Sequence, residues 1–148
     1  MNSNFKPSNA AVLAGVIDPD AYAANAYSTG WVHMGLYEAI QAIVLAGTMA
    51  STSTVDAKLE QAQDGSGTGV KDIAGKALTQ LTEAGTDSDK VAIINCRSDE
   101  LDVANGFDYV RLTVTVAEAA SDMAAIILGH NARYAPAADV TTVDEVVG

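Results

Sequence analysis

A chain of 148 residues is the size of one domain, long enough to bury roughly two-thirds of the surface that its unfolded form exposes. Hydrophobic residues make up 49% of it but aromatic ones only 5%, so its core rests on alanine, valine and isoleucine, and small parts gain less from burial than large rings do. A net charge of −11 and a pI near 4.2, with the eight basic residues scattered from Lys6 to Arg133, weigh against a nucleic-acid partner, since following a phosphate backbone needs clustered Lys and Arg.

The opening residues "MNSNFKPSNAAVLAG" hold one lysine and an apolar patch too short for a secretory signal. The longest apolar stretch, "AIQAIVLAGTMA", falls well below a membrane span and contains a glutamine, so the expected product is soluble, made in the cytoplasm and without a membrane partner. Residues 1–29, rich in Asn, Ser, Ala and Tyr with Pro7 and Pro19, read as an N-terminal arm. Their apolar Val12, Leu13, Val16 and Ile17 have no evident partner in a sandwich of the residues that follow, which makes them the candidate interface residues of that arm. Deleting residues 1–25 is then expected to leave the domain folded.

Residues 30–134 read as one β-sandwich domain. "GWVHMG" (30–35) is a short strand candidate and "EAIQAIVLAG" (38–47) a longer one. In "STVDAKLEQAQ", Val55, Ala57 and Leu59 oppose Asp56, Lys58 and Glu60; turn residues on both flanks favour a strand over the helix that propensity prefers. "QDGSGTGVKD" sets Gly65, Gly67 and Gly69 before Lys71, an arrangement that invites a phosphate. A phosphate-binding loop needs Gly-Lys-Ser/Thr, however, and a dinucleotide fingerprint needs G-x-G-x-x-G, so the stretch reads as a connecting loop. "GKALTQLTE" (75–83) and "VAIINCR" (91–97) are further strands, and "SDELDVANG" is a helical turn capped by Ser98, with Leu101 inward and Gly106 at its end. Val110, Leu112, Val114 and Val116 fall on one face, with Arg111, Thr113 and Thr115 on the other, the clearest strand in the chain. "AEAASD" then turns the chain into "MAAIILG" (123–129), which predicts a hairpin. Residues 135–148 read as a C-terminal arm. Seven candidate strands at short spacing predict an all-β fold: a single-domain antiparallel β-sandwich, jelly-roll-like, with extended N- and C-terminal arms.

Candidate chemistry is sparse. Cys96 is the only cysteine, so no internal disulfide forms, and it reads as a buried thiol. His33 and His130 stand apart without the paired spacing of metal or base motifs. Asp99, Glu100 and Asp102 in "RSDELD" lack the spacing of a calcium loop and read as a solvated turn near Arg97. The expectation is a protein that is not an enzyme, with no catalytic residues, cofactor or metal.

The segments "VDAKLEQAQDGSGTGVKDIAGKALTQLT", "AIINCRSDELD", "GFDYVRLTVTV" and "RYAPA" resemble a family of small proteins encoded with the structural genes of tailed bacteriophages, over roughly 30–137. In size and class the resemblance is to capsid cement, or decoration, proteins. It implies a small β-sandwich that binds the outside of the major capsid protein lattice as a homodimer or homotrimer, on the virion exterior; the unpartnered apolar residues of the N-terminal arm add the expectation that it crosses to a sister subunit or to the major capsid protein. Other classes compatible with the sequence are a head-tail connector or tail-terminator ring component, and a virion glycan-binding module.

Overall fold

The alternating stretch Tyr109–Ala117 forms a strand in which Val110, Leu112, Val114 and Val116 are at most 1% exposed. Around it, a computed structural model that describes residues 6–134 and 136–147 places two antiparallel sheets face to face. In chain order the strands are β1 (Ala11–Tyr22), β2 (Asn25–Ser28), β3 (Val32–His33), β4 (Tyr37–Met49), β5 (Thr54–Ala62), β6 (Lys71–Ala77), β7 (Leu81–Thr82), β8 (Val91–Arg97), β9 (Tyr109–Ala117) and β10 (Ser121–Ala132). One sheet has the order β1-β10-β4-β8; the other has the order β2-β9-β5-β6, with β3 also on β9 and β7 also on β5. The all-β sandwich expected from the sequence is the observed architecture.

The pairing is nested from the ends inward. β1 pairs with β10, β2 with β9, β4 with β8 and β5 with β6, all antiparallel. The chain crosses between the sheets after β1, β3, β4, β7, β8 and β9, and each crossing carries an apolar face to the opposite wall of one core. Val55, Leu59, Leu112 and Val114 from one sheet meet Val12, Ile40, Val44 and Ile127 from the other, all at most 1% exposed. Close packing of such small side chains accounts for the compact interior despite the shortage of rings.

Three expectations change. The first is the N-terminal arm and the domain boundary at residue 30. From residue 11 onward this segment is structural: β1 is a 12-residue edge strand along β10, with Val12 and Ile17 in the core at 0% and 5% exposure. A register shift between Leu13 and Gly15 changes the phase of alternation, so Leu13 and Val16 face outward while Val12 and Ile17 face inward. That bulge hides the strand from a period-two reading.

The second is the hairpin. β9 and β10 lie in different sheets, and their connection is an arch from one layer to the other. It runs beside the β4–β5 crossing: the Ala50 N–H donates to the Ala120 carbonyl at 3.0 Å, and the Ser53 hydroxyl donates to the Ala119 carbonyl at 3.0 Å. Alternation fixes which face of a strand is buried, and both layers bury theirs in the same core.

The third is the helical turn. It is two 3₁₀ turns, Ser98–Glu100 and Val103–Asn105, with Leu101 buried between them and Gly106 at φ +81° closing the second. Glu100, not Ser98, supplies the capping oxygen, accepting the Arg97 N–H at 2.8 Å. Residues 30–35 give only β3 and the 3₁₀ turn Met34–Leu36, and residues 75–83 only the end of β6 and the short β7. In the C-terminal segment, the Val140 N–H donates to the Leu13 carbonyl at 2.9 Å and Asp139 Oδ1 accepts the Leu13 N–H at 2.8 Å, so that segment covers the free edge of β1 at Leu13.

Candidate functional site

Every strand of the four-stranded sheet contributes apolar side chains to its outer face, which is interrupted by Gln41 and Asn95, hydrogen-bonded at 3.4 Å in the row that holds Leu128. Cross-strand register aligns Val16, Ile126, Ile43 and Ile93 in one row spanning β1, β10, β4 and β8. Leu13 and Leu128 stand on one side of that row, and Ala124, Leu45 and Val91 on the other. None of these nine side chains is buried, and Leu45, Val91 and Ile93 are 41%, 59% and 52% exposed. Scattered exposed apolar residues are ordinary on a protein surface, whereas a contiguous face of this kind marks an interaction site.

The ends of the face carry charge and shape. His130 and Arg97 flank Ala39 at one end. At the other, Asp20, Leu45, Gly47, Asp122 and Ala124 line a hollow of about 450 Å³. Gly47 keeps the hollow open, since a Cβ there would come within 3.0 Å of the Asp122 Cβ.

The outer face of the second sheet is polar. Glu60 accepts hydrogen bonds from Arg111 Nε and Thr113 Oγ1, each at 2.8 Å, and lies 3.3 Å from Lys58 Nζ. Lys58 also pairs with Asp72 at 2.7 Å, and Thr113 shares a 2.8 Å hydrogen bond with Ser28. Burial pushes the Glu60 carboxyl up, but the donors on Thr113 and Arg111 outweigh it and hold it below its ordinary range. The hydrogen bond to Asp72 raises the Lys58 ammonium.

The glycine-rich loop joins β5 to β6 and is organised by Asp64. Its Oδ1 accepts N–H bonds from Ser66 at 2.9 Å and Thr68 at 3.0 Å, and the hydroxyl of Thr68 holds the Asp64 carboxyl below its usual range. The glycines make room for rings: a Cβ at Gly67 would come within 3.1 Å of the Trp31 indole, and one at Gly65 within 3.4 Å of the Tyr109 ring. Lys71 is ion-paired with Asp102 and lies 4.0 Å from the centroid of Phe107. The loop thus packs on the aromatic end of the sandwich.

At that end a cavity of about 540 Å³ opens between the sheets, with buried Met34, Tyr37, Leu101 and Phe107 as its floor and Glu38, Asp99, Asp108 and Arg133 among its polar lining. His33 pairs with Asp108 at 3.1 Å and stacks on Tyr109 with centroids 4.7 Å apart. Glu100 is held below its usual range by the Arg97 N–H, then by Lys76; Asp102 is held low by Lys71, then by Asn105. Cys96 is 1% exposed, and burial pushes its thiol up to about 11, leaving little thiolate at neutral pH.

The four candidate interface residues divide between two environments. Val12 and Ile17 belong to the core, while Leu13 and Val16 belong to the apolar outer face. His130 stands at one end of that face, next in the chain to Asn131, which lines the cavity together with Asp108, the partner of His33. The residues of β4, β8 and β10 in the face were missed, yet "AIVLA", "VAII" and "AAIIL" carry a signal. A run apolar at consecutive positions marks a strand covered on both sides, unlike the alternating "VRLTVTV".

No family model and no curated protein matches the chain. A solved structure titled "Structure of infectious bursal disease virus Gt strain" is similar at 9% identity with a TM-score of 0.43, covering 87% of this chain and 34% of that one, so the chain spans about a third of its length.

Proposed function

We propose that this is a structural virion protein without catalysis, which binds the outside of a tailed-phage capsid lattice and stabilises it. The observation that carries the reading is the apolar outer face of the four-stranded sheet: a sandwich whose second sheet is finished with charge on its outer side presents the first for contact with protein. The resemblance of residues 30–137 to phage decoration proteins supplies the setting. An acidic exterior keeps decorated particles mutually repelling, and repeated copies on a lattice turn modest individual contacts into avidity. The partners in this reading are the major capsid protein and further copies of the chain.

The test is to add the purified protein to capsids lacking it, then image the particles and heat them. Density repeated over the whole lattice, with a higher temperature of capsid rupture, is expected. A single axial ring would assign it to the connector or tail instead, and absence of particle density together with binding to a glycan array would assign it to adhesion.

A further inference from the structure

We infer that the apolar outer face is the dimer interface, covered by a second copy of this chain across a two-fold axis that runs across the strands through the row Val16–Ile126–Ile43–Ile93. The inference narrows the structural reading above and rests on it: the protein that this face meets is a second copy, and the capsid is met by the remaining surface of the dimer.

Size comes first. Four strands at about 4.8 Å spacing and the eight residue steps of about 3.3 Å from Asp122 to His130 give an outer face of roughly 19 by 26 Å, about 500 Å² in projection, with the nine apolar side chains in its middle half and polar groups at its ends. Protruding side chains make its accessible area larger, against about 600 Å² per partner at the lower end of stable pairs.

Self-complementarity decides the occupant. A two-fold axis in the plane of the face and perpendicular to the strands lays β10 antiparallel on the partner's β10, with Ile126 at the centre. Each member of the central row then meets its own copy, as an isologous interface requires. Leu128 and Ala124 are equally spaced about Ile126, so the larger side chain of one copy lies over the smaller of the other, while the hydrogen-bonded pair Gln41 and Asn95 lies over Leu45 and Val91. His130 and Asp122 are also equally spaced about Ile126. The imidazole of one copy therefore falls over the hollow beside the Asp122 carboxylate of the other, where Gly47 leaves room. Among the described residues neither side chain has an ion-pair partner of its own.

The net charge of −11 selects the direction of the axis. An axis along the strands would set the two acidic ends, with Asp18, Asp20 and Asp122, against each other. The axis across the strands instead sets each acidic end against the end that carries His130 and Arg97, where Arg97 is itself paired with Asp99 at 3.0 Å, so the acidic ends are kept apart and the register is fixed. The sheets would stack about 10 Å apart in the aligned manner of sandwiches.

Two measurements on the full chain test this. Light scattering should give twice 15.2 kDa for the wild type, and Ile126→Lys, which sets two ammonium groups together at the axis, should weaken dimerisation on the order of a hundredfold or more. Circular dichroism must show that variant folded; if it is not, Ile126→Thr replaces it. For the axis, His130→Cys mixed with Asp122→Cys should be joined by a bifunctional thiol cross-linker long enough to bridge facing Cα atoms about 10 Å apart, beyond the span of a disulfide, whereas neither alone should be joined, and buried Cys96 leaves the background low. A monomeric wild type overturns the inference. So does a cross-link of His130→Cys to Ala39→Cys in place of Asp122→Cys, which would mean an axis along the strands. A monomer that still covers the capsid lattice refutes the dimer and keeps the structural reading; a dimer that never binds capsids does the reverse.

Discussion

The two outer faces of the sandwich are built from the same kind of strand and finished in opposite ways. On the β2-β9-β5-β6 sheet, the positions opposite the core are Arg111, Thr113 and Thr115 facing Glu60, Lys58 and Asp56, a cross-strand ladder of opposite charges and hydroxyls. On the β1-β10-β4-β8 sheet the equivalent positions are Val16, Ile126, Ile43 and Ile93. A solvated sheet face gains from charged pairs and loses from bare isoleucines, so one face is finished for water, and the other is the one that the proposal above covers with protein.

The largest effect that would sharpen this contrast is removal of β1. Deleting residues 1–25 strips Val12 and Ile17 from the core and exposes the whole edge of β10, so the cooperative thermal transition is expected to disappear, contrary to the arm reading from sequence. A truncated protein that melts as the full chain does would return the segment to an arm. Next in size are charge insertions on the two faces. Ile43→Lys is expected to keep the fold and lower self-association on the order of a hundredfold, whereas Thr115→Lys, at the matching place on the polar face, leaves association unchanged in sedimentation. Equal effects would erase the distinction.

Smaller still is Glu60→Gln. Losing the charge-assisted bonds from Arg111 and Thr113 should cost about 1–2 kcal/mol in urea unfolding at neutral pH. The folded carboxyl titrates below its unfolded value, so its stabilisation is fully present above the ordinary carboxylate range and is lost as the pH falls through the lower folded value. The gap between wild type and Glu60→Gln should therefore close on acidification. A gap that widens would contradict the network. The smallest effect is that of Lys71→Ala on the glycine-rich loop: no change in melting beyond experimental scatter, and calorimetry with ATP, GTP or NAD showing no saturable heat for either protein.

Legibility in the sequence followed the same division. The polar sheet was readable because one-sided burial writes itself as alternation, and Val110 to Val116 announced a strand without ambiguity. The apolar sheet was harder. Val91–Arg97 was read with its exact limits, but its two-sided apolar character was not recognised as a second covered face. β1 escaped because the shift between Leu13 and Gly15 breaks the period and Pro19 suggests a terminus, so a core strand looked like an arm. Pairing partners were the least legible feature, since the arch between β9 and β10 uses the turn residues that a hairpin would. The three glycines before Lys71 read as a loop from their spacing, but why glycine stands there is visible only in the tertiary structure, where Trp31, just before β3, and Tyr109 of β9 lie against the loop.

The central claim, that one face is covered by protein and the other by water, is tested most directly by hydroxyl-radical footprinting of the wild type beside Ile126→Lys. In the wild type, Ile43, Leu45 and Leu128 should be labelled slowly and become reactive in the variant, while Lys58, Arg111 and Thr115 on the opposite face label equally in both. Rapid labelling of Ile43 and Leu128 in the wild type, unchanged by Ile126→Lys, would contradict the account.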